Sequence, residues 1–354
     1  MPTPFGNATS VNAEPAATPT TNKPTPPNRW RWLLWLPVWL LLVPVIGWAA
    51  LAIYFDLRVP LLRLPLAIIL PLAVVAAWIL VKRRWVALAL SLGAFVVVLL
   101  WWLSIPASNN GDWQPDLAVL PTADISGNTV TIHNIRNCDY RTETDFDVRH
   151  YDKTFNLDDL RTVDLYLVTW GSPHIAHTMA SFGFTNGDFV CFSVETRKQK
   201  GQAYSAVKGL FRQFTITYIV ADERDLVRLR TNYRKDELAR LYRIRMTPEQ
   251  GRRLFLDYLR RVNDLAAHAE WYNAVTDNCT TAIRTQRAAD DRQPWDWRML
   301  INGHLDELLY ERGTIATNLP FAELKEKCLI NARGQAADKD PEFSKRIREG
   351  LPEP

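Results

Sequence analysis

His177 and Cys279 have the side-chain types and the setting that thiol chemistry requires. His177, in Ala176-His177-Thr178, lies in a segment that reads as a strand. Cys279, in Asp277-Asn278-Cys279-Thr280-Thr281, lies where a helix is expected to begin. A cysteine at a helix start stands beside backbone N–H groups with no intrahelical acceptor and beside the positive end of the helix dipole, and both favour the thiolate. A histidine next to it would take the thiol proton and pass it on, the pairing used in cysteine-dependent acyl transfer and hydrolysis. The competing reading is packing, since cysteine is among the residues most often buried and a lone histidine often fills a core. Spacing alone leaves both open.

A third group depends on strand register. Residues 175–184, the turn Asn186-Gly187-Asp188 and residues 189–196 read as a β-hairpin. A three-residue loop of Asn186, Gly187 and Asp188 with a bulge places Thr185 opposite Phe189 and His177 opposite Arg197, so that Ser193, Glu195 and Arg197 share the face of His177. A two-residue Asn-Gly turn shifts the pairing by one and puts Val194 and Thr196 there instead. In the first register Glu195, diagonal to His177, can accept a ring N–H and orient the imidazole as the acid of a triad does. Equally, Glu195 and Arg197 can be an ion pair on one strand face.

The elements that must position these groups read as strands followed by helices. Residues 163–170 alternate and end at Gly171-Ser172-Pro173, and residues 214–220 read as another strand. From Thr247 the period changes. Thr247 as N-cap, Pro248 at the first helical position and Gln250 three residues after the cap form a capping box, and Leu254, Tyr258, Leu259, Val262 and Leu265 mark one helix face. Helices are also expected at 279–287 and at 299–312, the latter closed by Gly313. The fold class is α+β.

Metals, nucleotides and other cofactors are not expected. His174 and His177, three apart on a strand, point to opposite faces, and His133, His150, His268 and His304 lack ligand spacing. Residues 201–209 lack a phosphate-loop pattern. Asp222, Glu223, Arg224 and Asp225 read as a salt-bridge cluster, with headgroup binding as the alternative.

Composition divides the 354 residues into unlike parts. Residues 1–28 are rich in Pro, Thr, Asn and Ala and are expected as a disordered cytoplasmic tail. Within a membrane domain at 29–104, three apolar runs at about 32–55, 64–81 and 85–103 each approach the ~20 residues that cross a bilayer as helix. A signal peptide does not account for three such runs. Six basic residues (Lys23, Arg29, Arg31, Lys82, Arg83, Arg84) against two (Arg58, Arg63) orient the N-terminus to the cytoplasm and leave everything after the third span outside the cytoplasmic membrane. No span carries an interior ionisable residue, which argues against a transporter. The net charge of +4 belongs to the membrane part, since 34 basic against 36 acidic residues remain beyond Leu103. No concentrated basic face points to nucleic acid. Of the four cysteines at most one internal bridge could form if Cys279 stays free, and none is expected.

Several motifs carry a resemblance. Asn134-Ile-Arg-Asn-Cys-Asp-Tyr-Arg141, His177-Thr-Met-Ala-Ser-Phe182, Ser193-Val-Glu-Thr-Arg197, Tyr218 with Asp222-Glu-Arg-Asp225, and Tyr272 through Asn278-Cys-Thr-Thr281 resemble the Lnb N-terminal periplasmic domain family. The similarity spans about residues 120–340 and takes in Gly303-His-Leu-Asp-Glu-Leu-Leu-Tyr310 and Leu319-Pro-Phe321. That family takes its name from a bacterial enzyme that moves an acyl chain within lipoproteins, from the glyceryl moiety to the N-terminal cysteine amine. The order of histidine, polar strand, then Asn-Cys at a helix start is also similar to permuted papain-like folds, the group of NlpC-type hydrolases and lecithin:retinol acyltransferases. The resemblance implies a permuted papain-like extracytoplasmic domain at 105–340 after three transmembrane helices, with a flexible tail at 341–354. It implies Cys279 as nucleophile, His177 as base and Glu195 as orienting acid, with Asn278, Ser193, Arg197 and Tyr218 supporting the site or binding substrate. The substrate implied is a membrane phospholipid or lipoprotein. A cell-wall amidase or peptidase of the same chemistry, and a non-catalytic binding domain, are the alternatives.

Overall fold

Three long apolar helices lead the computed structural model, which describes residues 35–274, 294–315 and 318–352: α1 (Leu36–Asp56), α2 (Pro60–Leu80) and α3 (Arg84–Leu103). At 20 or 21 residues each is long and apolar enough to cross a membrane. The second begins four residues earlier than expected because Pro60, with its fixed φ and missing N–H, opens the first turn rather than lying outside it. Trp35, Trp39, Trp78 and Trp85 gather at one end of the three-helix unit, with ring centroids 4.7–5.5 Å apart, and Trp48 meets Trp102 at 5.1 Å toward the other. The expected tail at 1–28, the helix at 279–287, Asn278 and Cys279 lie outside the described residues.

The domain that follows is built on a sheet. Its strands are β1 (Thr122–Ser126), β2 (Thr129–Arg136), β3 (Asp139–Tyr140), β4 (Phe146–Asp147), β5 (His150–Asn156), β6 (Leu160–Trp170), β7 (Ser172–Phe184), β8 (Phe189–Arg197), β9 (Thr215–Ala221) and β10 (Glu237–Arg243). Eight of them form one sheet in the order β1-β2-β9-β8-β7-β6-β10, with β5 paired to β2; β3 and β4 pair separately. Helices cover both faces. They are α4 (Glu223–Arg228), α5 (Pro248–Ala267), α6 (Leu305–Glu311), α7 (Phe321–Lys327), α8 (Asn331–Ala336) and α9 (Phe343–Arg346). On one face Phe182, Phe192, Val194 and Tyr218 pack under Leu254, Phe255, Tyr258 and Leu259 of α5. On the other, Tyr166, Met179, Cys191 and Ile219 pack under α4 and the C-terminal segment. The central strands are therefore buried on both sides, which is why β7 reads as a nearly unbroken buried run rather than an alternation.

The expected α5 is present with its capping box: Thr247 accepts from the Gln250 N–H, Gln250 accepts from the Thr247 N–H, and its apolar stripe is buried. The helix expected over 299–312 is shorter. It starts at Leu305, after 3₁₀ turns at Trp297–Met299 and Asn302–His304, because the backbone at Gly303 passes against Pro173 and His174 with no room for a Cβ and Asn302 Oδ1 accepts the Ala176 N–H at 2.9 Å.

Residues 341–352 are not the flexible tail expected. Phe343 and Ile347 are fully buried, and Arg348 enters the sheet face between two buried carboxylates. Arg348 donates to Asp164 at 2.9 Å and to Glu223 at 2.6 and 2.8 Å, while its guanidinium lies 3.7 Å over the Phe189 ring. Tyr166 and Ser181 also donate to Glu223, at 2.7 and 2.5 Å. Burial alone would raise the Glu223 carboxyl; the charge and hydrogen bonds of Arg348 outweigh it and hold it below its ordinary value. Asp225 is likewise internal: it receives Arg136 through two bonds at 2.7 and 2.8 Å and the Cys138 N–H at 2.8 Å. The Asp222–Asp225 cluster is thus structural, its acids beginning α4 and pinning distant segments to the sheet.

Candidate functional site

The β7–β8 turn sets what faces His177. Phe184 and Asp188 close the turn, with the Phe184 N–H donating to Asp188 at 2.9 Å, so its three-residue loop is Thr185-Asn186-Gly187, one residue earlier than expected. Gly187, at φ +86°, takes the left-handed position that such a loop requires. Moving the loop by one changes the pairing by two. Gly183 faces Phe189 and Met179 faces Ser193. Continued along the strands, this pairing sets His177 across from Glu195, where the expected register had Arg197. A two-residue change preserves the face, so Ser193 and Glu195 still stand beside His177.

The three side chains form a closed triangle. His177 Nε2 lies 2.6 Å from Ser193 Oγ and 3.1 Å from Glu195 Oε1, and the Ser193 hydroxyl donates to Glu195 at 2.8 Å. With that hydroxyl's proton on Glu195, a protonated Nε2 donates to the acceptors it faces, Ser193 Oγ and Glu195 Oε1. When the ring is neutral with its proton on Nε2, the acceptor lone pair lies on Nδ1, the nitrogen that would receive a thiol proton. Ser193 is fully buried and so positions the ring rather than attacking a substrate; His177 and Glu195 keep slight and partial exposure.

Behind Glu195 stands Arg230, buried, which donates to Glu195 at 3.2 Å and to Glu237 at 3.2 Å; Arg234 also donates to Glu237, at 3.4 Å. Arg230 is aimed there by a π-helical turn, Leu229–Tyr233, that continues α4, and turns of this kind often occur at functional positions. Burial acts to raise the Glu195 carboxyl, but the His177 charge and hydrogen bond, then Arg230 and Ser193, hold it well below the ordinary 4.5. Its stabilising contribution is therefore complete above about 4.5 and is lost as pH falls through the lower folded-state value. The stability gap between wild type and Glu195→Gln, measured by thermal unfolding in detergent, is expected to be full at neutral pH and to narrow on acidification. A gap unchanged by pH would mean that the charge of Glu195 stabilises nothing.

Of the remaining expected site residues, Arg197 serves elsewhere. Its guanidinium donates to Leu117 O, Asn109 Oδ1 and Ala118 O at 2.8–3.0 Å and lies 4.3 Å over Trp113, clamping the segment that leads from α3 into the domain. Tyr218, opposite Val194, belongs to the face under α5, away from His177. Asn278 and Cys279 lie outside the described residues. Arg230 and Glu237 carry no sequence signal beyond a cluster of basic residues after Asp225, and only the fold reveals their place. His174 is exposed and pairs with His304 at 2.8 Å, on the side of β7 away from His177. Among the described residues no group of three potential ligands could hold a metal ion.

The family model described as the Lnb N-terminal periplasmic domain matches residues 147–303, a span that contains His177, Ser193, Glu195, Arg230 and Cys279. The motifs around Asn134 and Leu319 fall outside the matched residues. No curated protein and no solved structure matches the chain.

Proposed function

We propose that this chain, a membrane protein with an Lnb N-terminal periplasmic domain at 147–303, is a cysteine-dependent acyltransferase or hydrolase that acts on lipid or lipoprotein acyl groups through a thioester on Cys279. The chain lies in the bacterial inner membrane with its N-terminus cytoplasmic. The observation that carries the reading is the His177–Ser193–Glu195–Arg230 chain of hydrogen bonds, which holds the imidazole at Nε2. A packing histidine has no need of an ionised acid backed by a buried arginine, whereas a base that must gain and release a proton is steadied by both.

In the reaction, His177 takes the Cys279 proton and the thiolate attacks an ester carbonyl. The tetrahedral intermediate collapses to the thioester as the leaving alkoxide takes the proton from His177. An incoming amine or water then loses its proton to His177 while attacking the thioester, and Cys279 departs as thiolate and is reprotonated. Ser193 and Glu195 hold the ring throughout and stabilise its protonated form. The proposal includes a permuted papain-like arrangement, in which the base His177 precedes the nucleophile Cys279 in the chain.

The other thiols are poor competitors. Cys138, Cys191 and Cys328 are free and buried. Burial pushes Cys138 and Cys328 up to about 12 and Cys191 well above the ordinary value. An alkylating probe applied to the detergent-solubilised chain is therefore expected to modify Cys279 first, and incubation with phospholipid or lipopeptide ester is expected to leave an acyl adduct at that residue by mass spectrometry. Equal labelling of all four cysteines, with no adduct on Cys279, would overturn the assignment.

A further inference from the structure

The end of the sheet that carries His177 is locked to the tops of the apolar helices. In the connection between β8 and β9, Phe211 is buried against Ala49, Ala52 and Val98, with its ring 5.0 Å from Phe55 and 6.3 Å from Trp48. Trp48 precedes the end of α1 by eight residues, roughly 12 Å along the helix at 1.5 Å per residue. Phe211 therefore sits below the upper edge of the helices, at the depth of the membrane interface. Polar contacts seal the joint. Asp56 accepts from Trp102 Nε1 at 2.7 Å, from the Arg212 N–H at 3.2 Å and from Gln213 Nε2 at 2.6 Å, while the Arg212 guanidinium lies 4.4 Å over Trp102.

Around this joint the domain leaves large apolar side chains uncovered. Val207 and Leu210, beside the inserted Phe211, are 51% and 39% exposed. Where β6 turns into β7, Trp170 and Ile175 are exposed at the same end of the sheet, and Trp297 and Leu300 join them, held there by the Asn302–Ala176 and His304–His174 contacts. Exposed aromatic and aliphatic side chains gathered beside membrane-spanning helices are what an interfacial surface needs, and scattered exposure elsewhere would not produce that grouping. Glu195 lies two residues before Arg197, the last residue of β8, so the His177 triangle is about 7 Å from this edge along the strand.

We propose that this end of the domain rests in the headgroup region of the bilayer, with the 204–211 loop and the Trp170, Ile175, Trp297 and Leu300 surface in contact with lipid, so that His177 opens directly above the membrane. The occupant is lipid rather than a second copy of the chain because the surface is continuous with the apolar helices at the depth of Phe211. The proposal needs the three helices to span the membrane but does not need Cys279 to be catalytic, so its test and that of the thioester mechanism fail separately.

The test uses the full chain in vesicles of phosphatidylethanolamine and phosphatidylglycerol. Single spin labels are placed at Val207→Cys, Leu300→Cys and, at the opposite tip of the sheet, Asn186→Cys. The background is Cys279→Ser, since the other three cysteines are buried. Collision with oxygen relative to a water-soluble nickel chelate is expected to be several-fold higher at 207 and 300 than at 186. Aqueous accessibility at 207 and 300 would overturn the proposal. Lipid contact at 207 alone would overturn it too, by confining the contact to the loop, as would exclusion of both reagents, the sign of a protein partner.

Discussion

Replacing Cys279 by serine is expected to lower acyl release from a phospholipid or lipopeptide ester by a factor on the order of 10⁴–10⁶, the scale on which loss of an essential nucleophile acts. Serine keeps the size and hydrogen bonding of cysteine but replaces a soft, readily ionised thiol by a hydroxyl. In the proposed mechanism His177, held at Nε2 by Ser193 and Glu195, accepts a proton from a thiol, and it would ionise the hydroxyl poorly. The oxygen-for-sulfur exchange removes little volume, so the unfolding temperature should move little while turnover is lost. Release of fatty acid or lyso-lipid followed by chromatography, with mass spectrometry for the adduct, reads both effects. Undiminished turnover in Cys279→Ser would defeat the thiol mechanism. Absence of turnover in the wild type on lipids, lipopeptides and wall peptides alike would point to a binding domain instead.

The second large effect concerns stability. Arg348→Met is expected to destabilise the domain by about 3–5 kcal/mol, because it leaves Glu223 and Asp164 buried without their main counter-charge. Both carboxylates are almost wholly removed from solvent, and among the described residues only Arg243 remains paired with Asp164. Adding Glu223→Gln to Arg348→Met should recover part of the loss, since a neutral amide no longer needs the cation and can still accept from Tyr166 and Ser181. Chemical unfolding of the wild type, both single variants and the double variant gives the coupling energy. Strictly additive losses would show that Arg348 stabilises through packing on Phe189 rather than through charge.

Much of the organisation is legible in the sequence, for a common reason. Residue type acts locally, so features made by neighbours in the chain can be read from it. The apolar runs report helices long enough to cross a bilayer whatever they later pack against. Thr247, Pro248 and Gln250 cap α5 with atoms no more than three residues apart. The period-two geometry of a strand makes the parity of His177, Ser193 and Glu195 safe against the two-residue change in register that the loop introduced. What the sequence leaves undecided is which of two adjacent three-residue loops closes the hairpin, because both contain Gly187 at a position that tolerates positive φ.

Contacts between residues far apart in the chain belong to the tertiary structure alone. Arg230 reaches Glu195 from 35 positions away, and Arg348 reaches Asp164 from 184. No propensity or periodicity encodes either pairing. Arg230 is placed by a π turn that the surrounding packing selects, and Arg348 by the burial of Phe343 and Ile347 in a segment whose composition reads as a loose end. Likewise Arg197 and Glu195, two apart on one strand, are sent to different tasks: one clamps the chain arriving from α3, and the other orients His177. By itself, then, the sequence determined the membrane helices, the α+β class, the face of the hairpin and the residue types capable of chemistry. The fold decided which of those residues meet, because electrostatic and hydrogen-bond partners are chosen by distances that only the packed sheet and its covering helices impose.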